Sequence, residues 1–557
     1  MARPHSAPWL LAALLGATVC RPAAAQPAGA GVARAEALFL RARRVGDQVS
    51  ITRSRGATES IHGIGLAALD GTREALLDSV RLALDALPAV SGADSAAVAA
   101  MRRWLGAASR PEPVPGDEPG SPGCPAPRDS TTERGLSAAI FACYSVAAGR
   151  IDFEGEALDR LSVLSLLGTT PDRDRRERLF RALDQVWSSV NGHGEPDAPY
   201  ERLVATRLAG WTGPTPVERR GLALGLDGAT VEAWLVRVLE AWRTALPDTL
   251  IEPWDYYYLV GTASRTLRDR VPLDSLRAVN DRFYRDLGAD PVALGVHYDI
   301  APRPGKYPIA FSDFGGRPGP GVDGRWSRGE PWVFASYRIG GFDNLNELLH
   351  ETGHAVHIAA IRTRPAFADW PDSDTFTEGI ADLAALEMFE PAWQEQYLGT
   401  SVPLPVALRA KYAWMMLDFA WALFEFRVHR PGAPPANEVW ADITSRYLGI
   451  RPHPELSWWA MRGQLVETAG YMVNYALGAI VVADLRAALV RRYGPFTTGR
   501  ADWYGQVSED VYRYGRERPA ARVVADVLGR APNPDALLAD LGRIRSPGRR
   551  QTGPESR

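Results

Sequence analysis

Five consecutive residues, His350-Glu351-Thr352-Gly353-His354, set two imidazoles beside a carboxylate. On a helix the two histidines are i and i+4, so both project from one face. Such a pair can hold one Zn²⁺, and Glu351 can act as general base toward a water on that metal. Glu378, in Phe376-Thr377-Glu378-Gly379-Ile380-Ala381-Asp382, offers a third ligand 24 residues beyond His354. That separation leaves room for a loop and a returning helix. Two histidines, one carboxylate and an open fourth position describe a hydrolytic zinc site, one ion per chain, rather than a structural one. Asp382 follows Glu378 by four residues and shares its helix face. It is placed to accept the ring N–H of a ligating histidine, fixing the tautomer and raising ligand basicity. The competing reading of these acids is a solvated helix edge.

The pattern is that of a zinc metallopeptidase. Glu351 would take a proton from water and pass it to the leaving amine. The oxyanion that forms needs a neutral donor or the metal itself. Tyr471 and Tyr475, one helical turn apart in Gly470-Tyr471-Met472-Val473-Asn474-Tyr475, are the candidates. Each can equally be a core or rim aromatic.

The elements that must position these residues read mostly as helix. Apolar residues recur at helical spacing over Ala35–Val45, Arg73–Leu87, Ala97–Leu105, Arg175–Val190 and Val231–Leu246. The spacing predicts further helices from Asp343 to about Arg362, and over Thr375–Phe389, Leu404–Val428, Asn437–Leu448 and Gly470–Arg492. Trp332–Tyr337 is rich in β-formers, and Lys306–Phe311 also turns toward strand. The expected fold is mostly α, two helical lobes with the active-site helix across a cleft between them and one small sheet near that helix. A helical lobe is expected over 26–250, with a Pro- and Gly-rich loop at about 108–135, and the catalytic region over 251–545. Residues 546–557 are polar and read as a disordered tail.

The 557 residues are 46% hydrophobic and 23% charged, ordinary globular values, with a net charge of −3. That balance gives no reason to expect nucleic acid or an anionic membrane as partner. Arg3 and His5 precede an apolar run from Pro8 to Val19, and Ala23-Ala24-Ala25 supplies a small-residue cleavage site before Gln26. Residues 1–25 thus read as a secretory signal peptide, and the mature chain as periplasmic or secreted. The run is too short for a membrane span, so no stable membrane insertion is expected. Cys20 raises a lipoprotein alternative, which the bulky Val19 before it disfavours. Export also permits a disulfide between Cys124 and Cys143.

Beyond these motifs, several stretches resemble the helical gluzincin peptidases of the thimet oligopeptidase and oligopeptidase F family, with similarity to the angiotensin-converting enzyme family. Pro253-Trp254-Asp255-Tyr256-Tyr257, Gly305-Lys306-Tyr307-Pro308-Ile309-Ala310-Phe311 and Leu349 to His357 are similar to the oligopeptidase branch. Phe376 to Leu386 and Tyr447-Leu448-Gly449-Ile450 look more like the converting-enzyme branch. The resemblance covers roughly 253–485 and implies His350, His354 and Glu378 as ligands and Glu351 as base. It implies a neurolysin-like fold split by a deep channel that admits short peptides. It further implies that Trp332–Tyr337 is an edge strand, Ala335 included, pairing with substrate backbone. The oligopeptidase branch favours Tyr471 as the oxyanion donor, and the converting-enzyme branch favours Tyr475. Both branches carry a histidine shortly before the tyrosines. Here Arg462-Gly463-Gln464-Leu465-Val466-Glu467-Thr468 holds none. Gln464 is a substitute donor, and Arg462 a possible anchor for a substrate carboxylate. The missing histidine leaves open a catalytically impaired zinc- or peptide-binding protein of the same fold. Removal of C-terminal dipeptides stands as the alternative to internal cleavage.

Overall fold

Helices in this chain begin where a short polar side chain can satisfy the first free amides. Asp159, Asp172, Asp227 and Ser373 accept the backbone N–H of Ser162, Arg175, Thr230 and Phe376. Others end on glycine: Gly399 and Gly449 take left-handed backbone after Pro391–Leu398 and Ala436–Leu448. The computed structural model describes residues 28–108, 132–303, 306, 310–321 and 323–544. The signal peptide, Cys20, Cys124, most of the Pro- and Gly-rich loop and the 546–557 tail lie outside the described residues. Cys143 is buried in the core.

The molecule is mostly helical with three small sheets. The helix carrying the histidines runs Phe342–Ala360, and that carrying Glu378 runs Asp374–Ala385. The latter gives way to a 3₁₀ turn, Leu386–Phe389, because Pro391 starts the next helix at once. Leu404–Val428 has the expected limits, and the tyrosine helix runs Tyr471–Tyr493. The stretch Arg175–Val190 is two helices, Arg173–Ala182 and Asp184–Asn191, broken at Leu183. A hairpin, Ile151–Phe153 with Glu156–Leu158, turns through Glu154 and Gly155, both at positive φ.

One continuous hydrophobic core links Ile140, Val186, Trp242, Phe283, Leu349, Phe419 and Leu477. It does not divide near residue 250. A separate cluster holds Ala28–Ser54, Leu66–Asp85 and Gly92–Ala108 together through Phe39, Leu77, Val80 and Met101. These helices are tied to the rest by ion pairs among Arg43, Asp47, Arg317 and Asp369 at 2.6–3.1 Å. The tyrosine helix is long and apolar enough to cross a membrane, but it is 72% buried inside the fold, against Leu404–Val428 and Asp374–Ala385.

The sheet beside the histidine helix corrects one expectation. Glu330–Phe334 is the central strand of three. It pairs in parallel with His297–Asp299 and antiparallel with Phe311–Gly316. Trp332–Tyr337 is therefore not a free edge. Ala335 N–H donates to Asp299 O at 3.1 Å, and Ala335 C=O accepts the Lys306 ammonium. Both of its backbone groups are used within the protein, so Ala335 has none left for a substrate strand.

Small residues set the spacing of the three site helices. A Cβ on Gly353 would lie 2.1 Å from Ala381 O, in the helix that carries Glu378. One on Gly379 would lie 2.9 Å from Gly478 O, in the tyrosine helix. Such contacts are with backbone and cannot be relieved by a rotamer change. The histidine, glutamate and tyrosine helices therefore meet along a glycine-lined seam.

Candidate metal centre

The seam brings His350, His354 and Glu378 together. The rings of His350 and His354 stand perpendicular with centroids 4.8 Å apart. Glu378 Oε2 lies 3.5 Å from His350 Nε2 and 3.8 Å from His354 Nε2. One donor atom from each of the three lies within 4.8 Å of the others, the geometry of a metal-holding group. Ligands at zinc bond lengths of ~2.0–2.1 Å in a tetrahedron are about 3.3 Å apart, so the donor spacing fits that ion closely. The side chains of His350 and Glu378 keep 21% and 25% of their exposure, so the group is open to solvent on one side.

The carboxylates differ in role and in electrostatics. His350 Nδ1–H donates to Asp382 Oδ1 at 2.8 Å, leaving Nε2 toward Glu378. Burial alone would suppress a charge on His350, but Asp382 outweighs it and raises its pKa well above the usual imidazole range. Burial likewise pushes the Glu378 carboxyl up, and hydrogen bonds from both histidines reverse this, holding it far below the usual range. Glu351 is buried, and burial raises its pKa. Ser312 Oγ lies 2.8 Å from Glu351 Oε2 and donates there, which fixes the carboxylate beside the donor group. Asp382→Asn would remove the charge that orients His350. It is expected to weaken zinc affinity about 10–100-fold, measurable by competition with a fluorescent chelator.

His357, although part of the same motif region, is no fourth ligand. Its ring is fully buried between Trp370 and Tyr512, and burial pushes its pKa down to about 3. Trp370 also meets the edge of His354 at 5.6 Å.

Tyr471 and Tyr475 sit on the same side as Glu378, whose charge is felt by both phenols. Their rings are 5.9 Å apart. Burial raises both pKa values, that of Tyr471 to about 12, so both hydroxyls stay protonated as donors at neutral pH. Their helix starts at Gly470, φ +77°, and its first amides are satisfied from a distance. Glu425, fully buried, accepts Gly470 N–H at 2.7 Å and Met472 N–H at 2.9 Å. The approach to this helix is held by the first half of the chain. Tyr144 donates to Met461 O, Ser137 and Arg207 to Val466 O, and Arg220 to Ala469 O, at 2.8–2.9 Å.

No protein-family model and no curated protein matches the sequence. Among solved structures, "PZ peptidase A with inhibitor 2" matches with a TM-score of 0.53 at 17% identity, over 74% of this chain and 75% of that one. The fold resembles that of PZ peptidase A. At that identity the likeness to PZ peptidase A shows the fold alone, and the chemistry must come from the side chains.

Those side chains redraw the weaker assignments. Arg462 donates to Asp418 at 2.5 Å and its guanidinium stacks on Trp421, so its charge is already paired. Gln464 opens the single turn Gln464–Glu467, half-buried, and its side chain makes no hydrogen bond with the described residues. Ser312, Asp418 and Glu425 are the functional-looking residues that sequence reasoning missed. Only Ser312 had a nearby signal, the stretch ending at Phe311.

Proposed function

We propose that the chain is an exported zinc metallopeptidase that hydrolyses short peptides. The observation that carries the proposal is the convergence of His350 Nε2, His354 Nε2 and Glu378 Oε2 beside a buried Glu351. Zinc held there would supply Lewis-acid polarisation of the scissile carbonyl and of a water molecule. Glu351, oriented by Ser312, takes the water's proton and delivers it to the departing amine. A phenol from the Tyr471–Tyr475 pair donates to the carbonyl oxygen as negative charge grows on it. Asp382 keeps His350 in the tautomer that presents Nε2. Export rests on the character of residues 1–25, and short peptides on the resemblance of the site motifs.

The test is metal analysis of the purified protein together with a peptide-library digest, with and without chelator and with zinc restored. Stoichiometric zinc and chelator-sensitive cleavage are expected. Cleavage indifferent to the chelator would overturn the proposal. Zinc and peptide bound without cleavage would instead identify the impaired protein that the missing histidine allows. The pairing of Arg462 with Asp418 favours internal cleavage over dipeptide removal, because it leaves that arginine no free charge for a C-terminal carboxylate. Digests of free and amidated peptides separate the two.

A further inference from the structure

The histidine helix carries one more carboxylate toward the general base. Glu347 precedes Glu351 by one turn, so the two share a helix face. It is half-buried and forms no ion pair among the described residues. Tyr337, just past the central strand, is only 5% exposed, and its hydroxyl has no hydrogen-bond partner. Its backbone is fixed, with N–H donating to Ile300 O at 3.0 Å. The hydroxyl is near the Glu347 carboxyl, outside hydrogen-bond geometry, and within electrostatic reach of Glu351. Two oxygen acceptors thus stand next to the proposed base, one of them buried and unused.

Buried carboxylates are costly without a partner. Burial, then the neighbouring Glu351, push the Glu347 pKa up to about 7, and only weaker influences from Tyr337, His350 and Arg160 oppose this. Arg160, at the start of the helix Arg160–Thr169, acts from a distance and forms no contact with Glu347. The bland reading is a buried acid that stays protonated. The unpartnered hydroxyl argues against it, because a protonated carboxyl so near would have a ready acceptor there.

We propose that Glu347 and Tyr337 form a subsite for an ammonium group of the substrate, making peptides with an amine near the scissile bond the preferred class. An ammonium is a compact charge with three donors, enough to serve a carboxylate and a phenol oxygen together. A neutral amide would leave the carboxylate's charge unpaired. The amine can be a peptide N-terminus or a lysine side chain, since the chemistry is the same. This inference rests on the peptidase reading above and assigns its substrate preference.

The experiment uses zinc-loaded full-length protein and matched fluorogenic peptides. One arm pairs free with acetylated N-termini, and a second pairs lysine with norleucine at each position around the cleaved bond. The wild-type protein is expected to favour the charged member of one arm by about 10-fold or more in kcat/KM, mostly through KM. Glu347→Gln should collapse that ratio, and Tyr337→Phe should reduce it. Equal kcat/KM within every pair would overturn the inference while leaving the peptidase reading intact. So would a Glu347→Gln variant that slows both members in proportion, which would make Glu347 structural. If no peptide is cleaved, the peptidase reading fails, and calorimetric affinities for the same pairs decide the subsite on their own.

Discussion

Glu351→Gln is expected to lower kcat/KM for peptide cleavage by about 10²–10⁴-fold while zinc stays bound. The substitution preserves shape, and the amide oxygen still accepts the Ser312 hydroxyl that now lies 2.8 Å from Oε2. What disappears is the basic lone pair that takes the proton. The metal should remain because the three converging donors belong to His350, His354 and Glu378, not to residue 351. Substrate affinity should change little, so the loss falls on kcat. Steady-state kinetics with metal content measured on the same sample checks both halves. Turnover equal to wild type would remove Glu351 from the mechanism.

Glu378→Ala is expected to abolish stoichiometric zinc and all metal-dependent cleavage. Two imidazoles alone make a weaker site, and Glu378 is the one donor contributed by a second helix. A ligand that binds only the folded state stabilises by RT ln(1 + [L]/Kd), about 2.7 kcal/mol at a hundredfold excess over Kd. The wild-type thermal midpoint should therefore climb with added zinc, and that of Glu378→Ala should not. Thermal scans across a zinc titration test this without relying on turnover. A midpoint in the variant that still climbs with zinc would move the third ligand elsewhere.

The metal group was readable in the sequence because its chemistry lies in short-range spacing. His350 and His354 are one turn apart, and Glu378 follows on the next long helix. The helices themselves were readable because their buried stripes repeat at helical period. What the sequence hid are contacts between residues far apart in the chain. Ser312 reaches Glu351 across 39 residues, and Glu425 reaches Gly470 across 45. Nothing local in either segment marks its partner. The strand error has the same origin. Glu330–Phe334 looks like any strand, and its edge or central place depends on His297–Asp299, three residues too few to show a period of their own. Glycine seams are hidden for another reason: Gly353 reads locally as a helix weakness, and only Ala381 across the interface explains it.

The grip of Tyr144, Ser137, Arg207 and Arg220 on the segment before the tyrosines carries a lesson for dissecting this protein. The portion of the chain with no catalytic motif acts as the jig in which the oxyanion donors are mounted. A fragment started at residue 251 would retain every metal ligand and still lack those four anchors. It would behave as a zinc chelate with misaligned phenols, so metal retention in truncated or shuffled chains is no proxy for competence.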